Sequence, residues 1–265
     1  MNIVVCIKQV PDTAEVKINP ETNTLIRDGV ENIMNPFDRQ ALETALILKD
    51  TSGAKVTVVS MGPPQATDIL KEAIAMGADD AVLISDRALA GSDTLATSVA
   101  LAAAVRKVGG GDLVLCGKQA IDGDTAQVGP EMAEHLGIPQ VTGALKVVLG
   151  ADGRLLVDRE NESSSQTLAV TLPAVVTVTK SEKEPRFASI KGKMKARKAE
   201  IPVMGAVELE IDPKVIGLSG SPTKVLKIFT PSVPQIESEI INEEDTDKAV
   251  DMLIEKLVQA KIITH

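Results

Sequence analysis

The chain has 265 residues, 44% of them hydrophobic and 25% charged, with a formal net charge of −9. That length holds one large domain with an appendage, and the negative charge argues against a general nucleic-acid or acidic-membrane binder. Phe37, Phe187 and Phe229 are its only aromatic residues, so the core must be aliphatic and a bound ring must be held by backbone, methyls and polar groups.

In chain order, NIVVCIK (2–8), AKVTVVSMG (54–62), DDAVLIS (79–85) and DLVLCGK (112–118) are apolar runs suited to buried strands. Helix patterns at 36–50, 64–77 and 92–107 lie between them. This alternation predicts βαβ crossovers and an α/β fold with an open, mostly parallel, doubly wound sheet covered on both faces. Early on, EVKINPETNTLIRDG (15–29) reads as a hairpin excursion around Asn-Pro-Glu-Thr-Asn. After a helix at 126–137, QVTGALKVVL, RLLVDRE, SQTLAVTL and AVVTVTK read as consecutive strands, an antiparallel extension of the sheet. Residues 184–202 show little periodicity and place five positive charges between Lys191 and Lys198. Residues 201–235, rich in Ser, Thr and Pro toward their end, read as an extended linker. Beyond it, 236–265 forms a C-terminal helical arm with Val250, Leu253, Ile254, Leu257 and Val258 on one stripe, which must dock on a partner or on its own body. The α/β body, with residues 184–198 included, is expected to span 1–200.

Cys6 and Cys116 sit inside apolar runs and suggest a reducing compartment rather than a disulfide scaffold. MNIVVCIKQ has neither the length nor the flanks of a secretory signal, and no run approaches a membrane span. A cytoplasmic setting without a membrane span is expected.

Ligands of open α/β sheets bind beyond the carboxyl ends of the strands, so the candidate lining is Cys6–Lys8, Ser60–Gly62 and Gly117–Gly129. In the last stretch Pro130 belongs to a first helical turn whose free N–H groups face the loop. Gly123, Thr125, Ala126 and Gly129 are small enough for close backbone approach. Asp122 and Asp124 either cap that helix or hold ribose hydroxyls. Both a generic strand-to-helix turn and a nucleotide cradle fit, whereas neither GxGxxG nor GxxxxGK[ST] occurs. In MNPFD (34–38), Asn35 as N-cap, Pro36 at the first position and Asp38 in the first turn form a helix start. No Ser/His/Asp arrangement, metal-ligand cluster or nucleophilic Cys is evident, and His135 reads as surface or core packing.

Six ordered motifs, VVCIKQVPD, DGVENIMNPFD, VVSMGPP, AIAMGAD, GKQAIDGDTAQVGP and EPRFASIKGKMKARK, resemble the beta subunit of electron transfer flavoproteins. VDRENESSSQTLAVTLPAVVTVT (157–179) resembles that family's signature through Arg159, Glu162, Gln166, Leu168 and Pro173, departing at Ser163 and Ser164. The resemblance covers residues 1 to about 200, with a looser match beyond. It implies a heterodimer with an alpha subunit, in a fold shared with universal-stress-type adenine-nucleotide binders. It also implies a bound adenine nucleotide: AMP in housekeeping members, a second FAD in electron-bifurcating ones. Carried over, the adenosine side falls on Cys6, Asn35, Pro36, Phe37, Asp38 and Met61. The phosphate side falls on Asp122, Gly123, Asp124, Thr125, Ala126, Gln127, Val128 and Gly129, and GSPTKV adds Thr223 as a flavin contact. Residues 184–198 match a recognition loop in which Ile190, with Lys191, Lys193, Met194 and Lys195, meets acyl-CoA dehydrogenase partners; a solvated basic loop is the plainer alternative.

DGDTAQVGP and KQVPDT resemble the bifurcating branch. That implies NADH as donor, ferredoxin or flavodoxin as low-potential acceptor, and delivery through the alpha-subunit FAD to the dehydrogenase. A stand-alone adenine-nucleotide signalling module is the alternative of another class, and it needs neither 184–200 nor the arm.

Overall fold

Residues 1–12, 31–180, 184–226 and 238–264 are described by the computed structural model. They divide into two units, Met1–Lys227 and Ile228–His265. The first unit begins with β1 (Asn2–Cys6), β2 (Gln9–Pro11), β3 (Asn32–Met34), α1 (Pro36–Ser52), β4 (Lys55–Met61), α2 (Thr67–Met76) and β5 (Asp80–Ile84). It continues through α3 (Thr94–Lys107), β6 (Leu113–Gly117), α4 (Val128–Leu136), β7 (Gln140–Leu149), β8 (Leu155–Asn161), β9 (Ser164–Val170) and β10 (Ala174–Val178). α5 (Ile190–Lys198), β11 (Val203–Met204) and α6 (Gly217–Gly220) follow, and α7 (Thr246–Gln259) belongs to the second unit.

Nine of the described strands form a sheet in the order β11-β5-β4-β1-β6-β10-β7-β8-β9, and β2 and β3 form a separate pair. All pairings from β11 to β7 are parallel, and β7-β8 and β8-β9 are antiparallel. Central strands have two buried faces, which explains their unbroken aliphatic runs. Ile3 and Val5 of β1, with Leu113 and Leu115 of β6, pack in the layer holding α1 and α2. Val4, Cys6, Val114 and Cys116 point the other way, among Leu101 and Val105 of α3 and Met132 of α4. Period-two alternation thus supplies both cores, and the helices feed them with Ala and Leu in place of aromatics.

The open, doubly wound α/β sheet is as the sequence predicts, with one rearrangement. The run at 174–178 does not extend an antiparallel series: β10 inserts between β6 and β7 and pairs parallel with both. All five of its residues are buried, a place for a β-branched run in the middle of a sheet rather than at its rim. The hairpin expected at 15–29 lies outside the described residues; just beside it, β2 and β3 pair antiparallel, Gln9 opposite Met34.

Two segments are more structured than their composition suggests. Residues 190–198 form the helix α5, where the sequence reads as a loop. Ser189 caps it by accepting from the Gly192 N–H at 2.9 Å, and Lys, Arg, Met and Ala propagate a helix well. α5 packs on α2, with Ala196 buried. A Cβ at Gly192 would collide with the Ala75 carbonyl of α2, so glycine permits this close approach. Within 201–226, Val203–Met204 pair with β5, and Thr223 donates to Asp93 through its N–H at 3.0 Å and its hydroxyl at 2.7 Å. Among the described residues no helix is long and apolar enough to cross a membrane.

Candidate functional site

From β1 the chain winds through β4 to β5, and α3 then returns it to β6 on the other side of β1. The crossovers therefore diverge between β1 and β6, and a crevice opens beyond their carboxyl ends. A cavity of about 920 Å³ lies there. It is lined by Cys6, Ile7 and Lys8 after β1, Met61 of β4, Cys116, Gly117 and Lys118 of β6, and the loop leading into α4.

α1 starts against this crevice, and its first residues hold the crevice in shape. Asn35 is wholly buried and holds the expected N-cap position of α1, its carbonyl accepting from the Arg39 N–H, but its side chain makes no cap bond. Its Nδ2 donates to the Gln119 carbonyl at 2.8 Å, and its Oδ1 accepts from the Ile121 N–H at 3.2 Å. The side chain is committed to the β6–α4 loop, a partner invisible in the local sequence. Asp38, also buried, accepts from the Lys8 N–H at 2.7 Å and the Gly117 N–H at 2.9 Å. One carboxylate thus ties the ends of β1 and β6 together. A Cβ at Gly117 would overlap Asp38 and Phe37, so glycine lets α1 press this close.

The expected adenosine-side residues therefore separate. Cys6, Asp38 and Met61 line the cavity, whereas Asn35, Pro36 and Phe37 do not. In the expected phosphate segment, Asp122, Gly123, Thr125, Ala126, Gln127, Val128 and Gly129 line it, and Asp124 does not. Asp124 instead accepts from Gln119 Nε2 at 2.7 Å. Neither aspartate caps α4, whose N-cap is Gln127 without a side-chain bond. Asp124 and Ala126 have φ of 51° and 55°, left-handed conformations that fold the loop tightly and cost strain for non-glycine residues. Gly129 fits against Thr177 and Cys116, where a Cβ would collide.

Thr223 reaches the cavity as well, together with Pro222 and Val225. Among the lining residues missed in the sequence are Asp93, Thr94 and Glu131. Asp93 caps α3 by accepting from Ala96 N–H at 3.1 Å and holds Thr223; the Ser-Asp-Thr before the helix pattern is the signal that could have found it. Thr94 donates to Glu131 at 3.2 Å, a pair that only the packing of α3 on α4 creates.

Burial dominates the titration of the cavity floor. It pushes the Cys6 thiol up to about 12, with the Asp38 charge adding to it, and raises Cys116 likewise. Neither thiol offers a thiolate near neutral pH. Burial also pushes Asp38 up to about 7, against the amide hydrogen bonds from Lys8 and Gly117 that favour its charged form.

The basic segment is divided in use. Arg186 bonds Glu43 at 2.9 Å and Asp50 at 2.8 Å on α1, and Lys195 Nζ donates to the Ala78 and Asp79 carbonyls at 3.0 and 3.1 Å. Lys195, expected to face a partner, helps fasten α5 to the body. On the outer side Ile190 is 83% exposed, Met194 58% and Phe187 89%, with Lys191 and Lys193 exposed among them.

Residues 22–209 match the family model for the electron transfer flavoprotein domain. The chain is 54% identical to the electron transfer flavoprotein subunit beta of Megasphaera elsdenii, over 99% of this chain and 100% of that protein. It is 49% identical to the protein of that name from Clostridium acetobutylicum, again over 99% and 100%. It is 45% identical to the caffeyl-CoA reductase-Etf complex subunit CarD of Acetobacterium woodii, with the same coverage.

The Asp38 environment sets a pH dependence. The folded state holds this proton more tightly than the unfolded chain does, since burial moves the carboxyl from 3.8 to about 7. Its contribution to stability is present below about pH 4 and is lost as pH rises through about 7. A shift of that size corresponds to about 4 kcal/mol. Between about pH 4 and pH 8 the wild type should therefore lose about that much stability relative to Asp38→Asn. Denaturant unfolding of both proteins across this range checks it; parallel pH curves would show that Asp38 does not titrate there.

Proposed function

The chain belongs to the electron transfer flavoprotein family, as a beta subunit working in electron transfer, and from that premise we propose that its cavity holds FAD in the electron-bifurcating manner. The observation that carries this reading is the cavity itself: about 920 Å³ at the β1–β6 crevice, bordered by Gly123, Thr125 and Ala126. A dinucleotide needs room beyond its first phosphate, and small side chains along the loop leave that room. Cys6, Met61 and Ile7 would meet the adenosine end, and the 122–129 loop with the start of α4 would meet the phosphates. Among the described residues no aromatic side chain lines the cavity, so ring contacts come from aliphatic and sulfur-bearing groups. FAD bound there supplies acceptance of an electron pair from NADH and its release as single electrons. In that manner one electron would go to a low-potential carrier such as ferredoxin or flavodoxin, and the other toward an acyl-CoA dehydrogenase by way of the alpha subunit. The name of the Acetobacterium relative, which joins an Etf to a CoA-ester reductase, supports this class of acceptor.

The protein's own work is positional. Asn35 and Asp38 keep the crevice in shape, and the buried thiols of Cys6 and Cys116 stay protonated and so present no thiolate to a bound cofactor. α5 offers Ile190 and Met194 among lysines, an apolar anchor with charges that speed encounter with an acidic partner. α7 exposes Val250, Leu253 and Ile254 along one face, and its proposed role is to dock on the alpha subunit.

Three measurements test this reading. The purified heterodimer, saturated with FAD, should contain two FAD and be reduced by NADH; one FAD beside one tightly held AMP would point to the housekeeping type and overturn it. Ile190→Ala should lower the rate of electron delivery at limiting dehydrogenase by about five- to thirtyfold, the loss of a 1–2 kcal/mol anchor, with nucleotide content unchanged. An unaltered rate removes α5 from partner recognition. Deleting residues 236–265 should weaken heterodimer formation while the circular dichroism of the body persists; undiminished co-purification with the alpha subunit would refute the docking role of the arm.

A further inference from the structure

An ion pair crosses the cavity. Lys8 Nζ lies 2.7 Å from each carboxylate oxygen of Asp122. Lys8 follows β1 and Asp122 stands in the β6–α4 loop, so the contact joins the two sides of the crevice, and both residues line the cavity. The base of Lys8 is fixed, because its N–H is bound to Asp38, and its ammonium is aimed by Asp122. The remaining charged groups in the lining are Asp38, Asp93, Glu131 and Lys118. Asp38 is committed to two backbone amides and Asp93 to α3 and Thr223, while Glu131 accepts from Thr94 through Oε1 and keeps Oε2 buried without a partner. Lys8 is thus a cation placed against the loop where a phosphate would arrive. Its side chain and that of Asp122 are 48% and 32% exposed. A pair so hydrated is held weakly and exchanges partners at low cost.

We propose, on the basis of the nucleotide reading above, that Lys8 is the phosphate-recognising cation of this site and that Asp122 is its built-in competitor. A phosphate-bearing ligand enters by taking the place of the Asp122 carboxylate at Lys8. No bond is made or broken in this exchange. Its consequences are that affinity depends on the ligand's phosphate charge rather than on adenosine alone, and that salt weakens it. It also gives the two residues opposite effects on binding, which a purely structural ion pair between two loops would not.

The test uses the full heterodimer stripped of nucleotide, with AMP, FAD and adenosine as calorimetric probes. In the wild type AMP should bind more tightly than adenosine. Lys8→Gln should weaken AMP and FAD by about tenfold, the loss of one charge-assisted hydrogen bond, and leave adenosine within about twofold. Asp122→Asn should tighten AMP by about threefold, since it leaves Lys8 in place without a competitor. Lys107→Gln, which removes the same charge beside Glu210 outside the cavity, should keep the wild-type AMP-to-adenosine ratio, and Lys8→Arg should restore most of it. If Lys8→Gln keeps that ratio, or if Lys8→Gln and Asp122→Asn weaken AMP alike, the exchange is refuted while the nucleotide site stands. If the wild type binds neither AMP nor FAD, the nucleotide site and the exchange fall together.

Discussion

Everything at the crevice depends on how the first turn of α1 is tied to two strands and a loop. Asp38 bonds the ends of β1 and β6 through Lys8 and Gly117, and Asn35 bonds the next loop at Gln119 and Ile121. These four bonds satisfy backbone groups that leave the sheet where it has no further strand partner, which is where an unpaired amide would be costly. The geometry is available only because Gly117 has no side chain. The crossovers diverge at this point of the topology, and the tie holds the paired strand ends beneath the crevice they leave. The cavity is therefore a product of the sheet order and of one buried carboxylate, not of the loop alone.

The electrostatic character of the site runs against the net charge of the chain. At −9 overall, the protein is repulsive to a nucleotide at long range, and acids outnumber cations in the cavity lining as well. Most of those acids are occupied by hydrogen bonds from backbone or hydroxyl groups, so they shape the walls. Under the proposed reading, Lys8, Lys118 and a loop of main-chain groups folded through two left-handed residues are left to face a phosphate. Local placement outweighs total charge here because screening limits charge effects to about 8–10 Å.

The basic segment shows the same economy. Its charges look interchangeable in the sequence, yet Arg186 holds the segment on α1 and Lys195 on the turn between α2 and β5, while Lys191 and Lys193 stay in solvent. Anchoring one side as a capped helix presents Ile190 and Met194 on the other with little freedom left to lose. A rigidly held apolar residue binds at a smaller entropic cost than one on a mobile loop. A helix held in this way would suit the partner recognition proposed for it.

Local chemistry in the sequence was enough for the central strands, the helices between them and the parallel, doubly wound class, because fully buried β-branched runs and Ala/Leu periodicity carry their own signal. Pro36 at a helix start, the small residues of 123–129, the cavity edge at Cys6, Met61 and Thr223, and membership of the electron transfer flavoprotein family were legible there too. What the tertiary structure decided were the contacts between residues far apart in the chain. Adjacency along the sequence suggested that β10 would continue the antiparallel strands, but burial on both faces placed it beside β6. Asn35 is the N-cap of α1 as read, but the partners of its side chain lie more than eighty positions away and came within reach only in the assembled fold. Residues 190–198 lacked an amphipathic period because only Ala196 and the Gly192 backbone needed to meet α2. Lys8 and Asp122 could be read singly as lining residues, but their pairing required β1 and β6 to lie side by side. Short-range preferences determine elements; which elements become neighbours, and so which side chains share a charge or a hydrogen bond, is settled only when the whole sheet is assembled.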